Sequence, residues 1–151
     1  MNIRFSAKLI IPVLAVVFVV MSYLSLHFWW QDNSQQINQQ LDLANHAAME
    51  YAQENTQQAC FEKTIEDSLT CREGACTMEL KHFLAVCFEH AKPDVSFCQS
   101  TPSAQDYFGN VSWSVSQCRK RKVKNANCPN IINNTAKLCA QYTPEAFDEQ
   151  S

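Results

Sequence analysis

An all-α fold is predicted, with an N-terminal transmembrane helix and helical stalk followed by a small disulfide-stapled helical bundle. Three observations predict it. Residues Leu9 to Leu26 read LIIPVLAVVFVVMSYLSL, inside an uncharged run of 23 residues between Lys8 and Asp32. All eight cysteines fall between Cys60 and Cys139, the density of a disulfide scaffold in an oxidising compartment. Glycine is limited to Gly74 and Gly109, too few for the turns of a β-rich fold or for a loop that cradles phosphate.

The apolar run comes first. At 1.5 Å per residue an uncharged helix of this length covers roughly 34 Å, against roughly 30 Å for the hydrocarbon core of a bilayer. Pro12 falls near the start of the helix, where a missing N–H costs least, and Ser22 and Ser25 can bond their own backbone. The run leaves through His27-Phe28-Trp29-Trp30, an aromatic cluster suited to the headgroup level, so His27 reads as an interfacial residue rather than a proton relay. A cleaved signal peptide would be shorter and would end in small residues, which this bulky exit lacks. An uncleaved signal anchor over 9–30 is the expectation. Arg4 and Lys8 precede the run and no cation follows until Lys63, which keeps 1–8 cytoplasmic and exports the rest. The expected location is a bacterial inner membrane with the C-terminal domain in the periplasm. The sequons Asn110-Val111-Ser112 and Asn133-Asn134-Thr135 leave a secretory-pathway membrane open if the source is eukaryotic.

Residues 31–58 are rich in Gln, Asn and Ala without Gly or Pro, which predicts a juxtamembrane helix. Ile37, Leu41, Ala44, Ala48 and Tyr51 alternate in steps of four and three, a short heptad seam. It serves either a homodimer through residues 37–51 or packing on the chain's own domain, and the second is favoured. The opening MNIRFSAKLIIPVLAVVFVV followed by a polar helix is similar to the first segment of bacterial chemoreceptors and sensor kinases. That likeness covers about a third of the chain and no second span follows it, so membership is not assigned.

A disulfide-rich helical domain is expected over 59–142. Cys60, Phe61, Thr64, Ile65, Ser68, Leu69 and Cys71 recur at helical spacing, with Gly74 placed as a helix-ending residue of positive φ. A second helix reads Cys76, Leu80, Phe83, Leu84, Cys87, Phe88 and ends before Pro93. Cys60 and Cys71 are eleven apart, as are Cys76 and Cys87, and eleven residues make nearly three turns, so each pair shares a face. Folded back across Arg72-Glu73-Gly74-Ala75, the two helices would join Cys71 to Cys76 and Cys60 to Cys87 as a nested ladder. This hairpin resembles those of the twin-CX9C proteins, although ten residues rather than nine intervene here and Cys-Pro-Cys is absent.

Beyond Pro93 the chain turns to Cys98, and Ser100-Thr101-Pro102 looks like a helix start. Val111 to Ser116 alternates as a strand would, yet Ala104, Phe108, Val111, Val115 and Cys118 form a helical stripe, and helix is favoured. Trp113 lies off that stripe, either packed on the hairpin or offered as a binding anchor. Another eleven-residue step separates Cys128 from Cys139, and analogy with the first hairpin pairs Cys118 with Cys128 and Cys98 with Cys139. The remainder, 143–151, is a tail.

Charge divides the chain. From Asp32 to Cys98 there are 11 acidic residues and 4 Lys or Arg, whereas from Gln99 to Tyr142 Asp106 alone faces 6 basic residues. Arg119, Lys120, Arg121, Lys122 and Lys124 either lie against the acidic half or, with Trp113, meet a protein partner or an anionic lipid or polymer of the envelope. Nucleic acid is not expected, because the patch is short and lacks interleaved aromatics. No CxxC, CxxCH, HExxH or GxSxG occurs, and His82, Cys87 and His90 are spaced too widely for one metal, so no cofactor, metal or catalytic residue is assigned. Glu62, Glu66 and Asp67 read as a solvated face. A membrane-anchored module that acts by binding, such as an accessory, inhibitor or immunity protein, is the expectation. The alternatives are an extracytoplasmic sensor with a dimeric stalk and a thiol oxidoreductase using Cys71 and Cys76.

Overall fold

The computed structural model describes residues 7–72 and 74–143. Most of the expected N-terminal segment, Glu73 of the expected turn and the tail from 144 onward lie outside them. The described residues form helices joined by turns, with no strand beyond one isolated bridge between Thr56 and Lys92. The stretch 111–117, ambiguous in the sequence, lies wholly within a helix.

α1 spans Ala7–Glu54 with Pro12 near its start. It is the one described helix long and apolar enough to cross a membrane, and its apolar side chains from Ile11 to Trp30 stand exposed. The chain divides into two compact units, Met1–Gln39 and Gln40–Ser151. The second unit therefore takes in the last part of α1, which the sequence assigns to the stalk. Small residues explain this: Ala44, Ala48 and Ala52 are buried, and Ala48 and Ala52 belong to the unit's core. The Tyr51 ring lies 6.2 Å from that of Phe83. The seam from Ala44 to Tyr51 is thus spent inside this unit, while Leu43 faces outward.

Within the second unit α1 is followed by α2, Gln57–Asp67, whose first turn is capped by the Thr56 hydroxyl accepting from the Ala59 N–H. α3 spans Gly74–His90. Lys92 donates its N–H to the Asn55 carbonyl at 3.1 Å, and Gln57 donates to the Lys92 carbonyl at 3.2 Å. These bonds tie the end of α1 to the segment that follows α3, and Tyr51 lies beside Phe83. Two short helices, α4 (Val95–Gln99) and α6 (Cys128–Ile132), and two longer ones, α5 (Tyr107–Lys120) and α7 (Thr135–Tyr142), complete the unit.

Four disulfides tie these helices: Cys60 to Cys87, Cys71 to Cys76, Cys98 to Cys139 and Cys118 to Cys128, with Cα separations of 5.4 to 6.2 Å. Around them Phe61, Ile65, Leu84, Phe88, Ile131 and Ile132 are fully buried. Phe97, carried on α4, brings its ring 5.1 Å from Phe61 and 6.3 Å from Phe88. Burial of such side chains, each worth roughly 1.5–3 kcal/mol, is what an unstapled chain of this size would have to rely on alone.

Gln57 ties three elements together from inside the core. It is fully buried, yet its Nε2 donates to the Phe88 carbonyl at 3.3 Å, and its Oε1 accepts from the Asp94 N–H at 3.1 Å and from the Thr143 hydroxyl at 2.6 Å. A buried amide is tolerated because its polar atoms find partners.

Several local expectations are corrected. α2 ends at Asp67, not at Cys71: the Ser68 hydroxyl bonds back to the Ile65 carbonyl, and tight turns at Leu69, Thr70 and Cys71 finish the segment. Gly74 is the first residue of α3 and has no positive φ. The helix expected at Ser100-Thr101-Pro102 begins instead at Tyr107, because Asp106 supplies the N-cap, accepting from the Gly109 N–H at 2.9 Å. Gly109 suits that position, since a Cβ there would meet the Asp106 carboxylate. On α5 the apolar stripe also faces the wrong way. Ser114 and Cys118 are buried, while Phe108, Val111 and Val115 are exposed. Ser114 is accommodated inside by donating its hydroxyl to the Asn110 carbonyl at 2.8 Å.

Candidate functional site

The basic run begins in the last turn of α5, and its placement depends on how that helix ends. The Lys122 N–H bonds to the Arg119 carbonyl at 2.9 Å and the Val123 N–H to the Cys118 carbonyl at 3.0 Å. This pair of bonds is a Schellman motif, which places its left-handed residue at Lys122, with φ of 58°. Glycine is the usual occupant, since other residues carry a cost of roughly 1–2 kcal/mol in that conformation. A cation therefore stands where the backbone prefers glycine.

Asn125 fixes the rest of the loop. Its side-chain amide donates to the Ser68 carbonyl at 2.8 Å and also to the Cys71 carbonyl, while its Oδ1 accepts from the Asn127 N–H at 2.9 Å. The loop is thereby pinned to the end of α2, and the Cys118–Cys128 disulfide closes its base. Between loop and hairpin lies a cleft of about 550 Å³ lined by Leu69, Cys71, Arg72, Lys122, Lys124, Asn125 and Ala126. A neighbouring cleft of about 430 Å³ has an apolar floor of Val115, Val123 and Pro129 beneath Arg119, Lys122 and Lys124. Lys122 and Lys124 border both.

The five cations of the run have different surroundings. Arg121 turns toward the acidic half: it lies 3.4 Å from the Glu62 carboxylate, donates to Gln117 at 2.8 Å, and sits over the Phe61 ring at 5.3 Å. Arg119, Lys120, Lys122 and Lys124 are exposed and make no ion pair among the described residues. Arg72, distant in sequence, joins Lys122 and Lys124 at the larger cleft. Trp113 is not part of this cluster. It is half-buried with its ring 5.3 Å from that of Phe61, so it packs α5 on α2.

The acidic residues singled out on α2 have surface partners. Asp67 pairs with Lys63 at 3.1 Å, and Glu62 accepts from Gln58 and faces Arg121. Cys87 is bonded to Cys60 and so has no thiolate to share with His82 and His90. Among the described residues no group of three or more His, Cys, Asp or Glu converges as metal ligands would. Burial first, then the charge of Glu89 and a hydrogen bond to it at 3.4 Å, raise the Tyr142 pKa.

Sequence reasoning missed Arg72 as a member of the cluster. It missed Asn125 as its anchor as well. Only the exhaustion of glycine gave a signal, because a chain with so few must place other residues wherever a helix closes with positive φ.

No protein-family model, curated protein or solved structure matches the chain.

Proposed function

We propose that the chain is a membrane-anchored, exported helical module that acts by binding an anionic partner, a protein or a ligand of the cell envelope, at the loop between α5 and α6. The single observation that carries this reading is the gathering of Arg72, Lys122 and Lys124 around one cleft with no acidic counterpart among the described residues of its lining. Positive charge left unpaired beside a concave surface attracts anions and steers their approach. The left-handed Lys122 adds weight, since strained backbone positions cluster at functional sites. On this reading the disulfides arrange the helices as nested cysteine hairpins, and that frame holds the loop rigid. Disulfides and one long apolar N-terminal helix are compatible with an extracytoplasmic domain on a membrane tether.

A thiol count tests the frame. The full chain, extracted from membranes and alkylated before and after reduction, is expected to show eight cysteines that react only once reduced. Eight that react at once would overturn the exported reading. Two that react ahead of the other six would favour a thiol oxidoreductase. One observation supports that second reading: Cys71, bonded to the half-exposed Cys76, lines the basic cleft, and neighbouring cations favour thiolate.

A further inference from the structure

The two clefts at the basic loop are parts of one surface. Lys122, Lys124 and Asn125 line both, so a molecule seated in one meets residues that bound the other. Their remaining walls differ in chemistry. The larger cleft adds Arg72, from beyond the end of α2, whereas the smaller adds Val115, Cys118, Val123 and Pro129. A cationic cleft, with no acidic residue among the described members of its lining, thus adjoins one that is aliphatic beneath a cationic rim.

The fold explains why the two lie together. The motif that closes α5 with Lys122 in the left-handed conformation also bonds the Val123 N–H to the Cys118 carbonyl. Val123 is thereby returned to the last turns of the helix, which carry Val115 and Cys118. Cys118 is bonded to Cys128, and Pro129 follows directly, so a disulfide holds the sides of the apolar cleft together. On the other side Asn125 is pinned to the Ser68 and Cys71 carbonyls, next to Arg72 in the chain. A surface fixed in this way before its ligand arrives loses little freedom on binding.

We propose that the paired clefts bind a phosphate monoester of an apolar alcohol, with its phosphate among Arg72, Lys122 and Lys124 and its hydrocarbon on Val115, Val123 and Pro129. The inference rests on the anion-binding reading above and names the chemistry of the ligand. Charge selects the phosphate. Three cations from two chain segments suit a tetrahedral dianion that accepts from several directions, whereas a planar carboxylate is satisfied by one guanidinium. The carboxylates of α2 do not enter either lining, because Glu62 and Glu66 line a third cleft beside Arg121. Apolar surface selects the ester. A bare polyanion would leave Val115, 37% exposed, uncovered, while an ester sets hydrocarbon directly beside its charge. Size agrees with both: clefts of about 550 and 430 Å³ lie within the range of small-molecule sites.

Ligand titration of the full chain in neutral maltoside micelles tests the proposal, followed by the methyl signals of Val115 and Val123 and the amide of Lys124. Methyl phosphate, hexyl phosphate and hexanoate are compared. Hexyl phosphate is expected to bind about ten-fold more tightly than either of the others. Val115→Asn should cut its advantage over methyl phosphate to about two-fold or less, and Lys124→Gln should weaken both esters by about three-fold or more. The comparison of ligands on the unaltered chain stands even where a variant fails to fold. Dihexanoyl phosphatidic acid separates the sources of the ester: tighter binding than hexyl phosphate points to a lipid and weaker binding to a soluble ester, and both orders support the proposal. Equal binding of methyl and hexyl phosphate, or hexanoate as tight as hexyl phosphate, overturns the proposal and leaves an anion site standing. A tetrapeptide Leu-Asp-Leu-Asp that outbinds hexyl phosphate also overturns it and gives the clefts to an acidic protein segment. Absence of binding by every one of these anions, pyrophosphate included, overturns the anion-binding reading itself, and the proposal falls with it.

Discussion

The Arg121 guanidinium lies over the Phe61 ring, 5.3 Å from its centroid, and joins the basic loop to the acidic hairpin. The same side chain reaches Glu62, so one residue of the run acts in structure while its neighbours face solvent. Arg121→Gln is expected to destabilise the domain by about 1 kcal/mol, the sum of a partly exposed cation–π contact and a screened ion pair. Arg119→Gln and Lys120→Gln should each fall within about 0.5 kcal/mol of the parent. Denaturant unfolding of the full chain in detergent measures all three, and equal losses would show that Arg121 has no special place.

Replacement of Lys122 separates backbone preference from charge. Lys122→Gly should raise stability by about 0.5–1 kcal/mol, because glycine adopts the left-handed conformation at little cost. The same variant should weaken binding of a polyanion such as pyrophosphate to the full chain. Chemical shifts of the Arg72 and Lys124 amides during titration follow that loss, and a variant that is more stable with unaltered binding would detach the cation from the proposed role.

Gln57 is the most consequential polar side chain of the core. Gln57→Ala leaves the Asp94 N–H and the Thr143 hydroxyl without their partner and opens a void, so a loss of about 2–4 kcal/mol is expected. Gln57→Glu is expected to be nearly as costly, because a carboxylate cannot donate to the Phe88 carbonyl. Unfolding midpoints of the two variants decide the matter.

The disulfides should differ in worth according to the loops they close. Sequence separations of 41, 27, 10 and 5 residues rank Cys98–Cys139 first, then Cys60–Cys87, Cys118–Cys128 and Cys71–Cys76. In the chain-entropy view the first contributes about 4 kcal/mol and the last about 2 kcal/mol. Paired Cys→Ala variants, compared by thermal unfolding, should follow that order.

Tyr142 predicts an alkaline response. Burial and Glu89 raise its pKa in the folded state, so the folded chain holds the phenolic proton more firmly than the unfolded chain does. The resulting stability is fully present below the unfolded pKa, near 10, and is lost as pH rises through the higher folded value. Tyr142→Phe should flatten that decline, and ultraviolet titration of the phenolates should show the late-ionising group disappear.

The parts legible in the sequence were those written in hydrophobicity and cysteine spacing. The long apolar run reads directly, but of the eleven-residue cysteine steps only Cys76 to Cys87 lies on one helix, since α2 ends before Cys71 and Cys128 and Cys139 sit on α6 and α7. α3 is clear because Leu80, Phe83, Leu84, Cys87 and Phe88 repeat without interruption before Pro93. α5 was misread in facing because Ser114 is buried and satisfied by its own helix while Phe108 is exposed, the reverse of what residue type suggests. Gln57 escaped notice for a related reason, since a glutamine in a Gln-rich stretch gives no sign that it will be buried. Within the candidate site the cation run was visible, but its curl around Lys122 and its attachment through Asn125 depend on backbone hydrogen bonds that no side-chain pattern encodes.

The pairing of Cys118 with Cys128, enclosed within that of Cys98 with Cys139, gives the loop a double covalent ring. Five of its residues are the lysines and arginines that trypsin-like proteases prefer. A cut between Arg119 and Lys124 would leave the two pieces joined twice over, so the domain would gain the mass of one water and keep its assembly. Such a nick would go unseen on a gel until the sample was reduced, and a loop of this build can be exposed to proteolysis without the module coming apart.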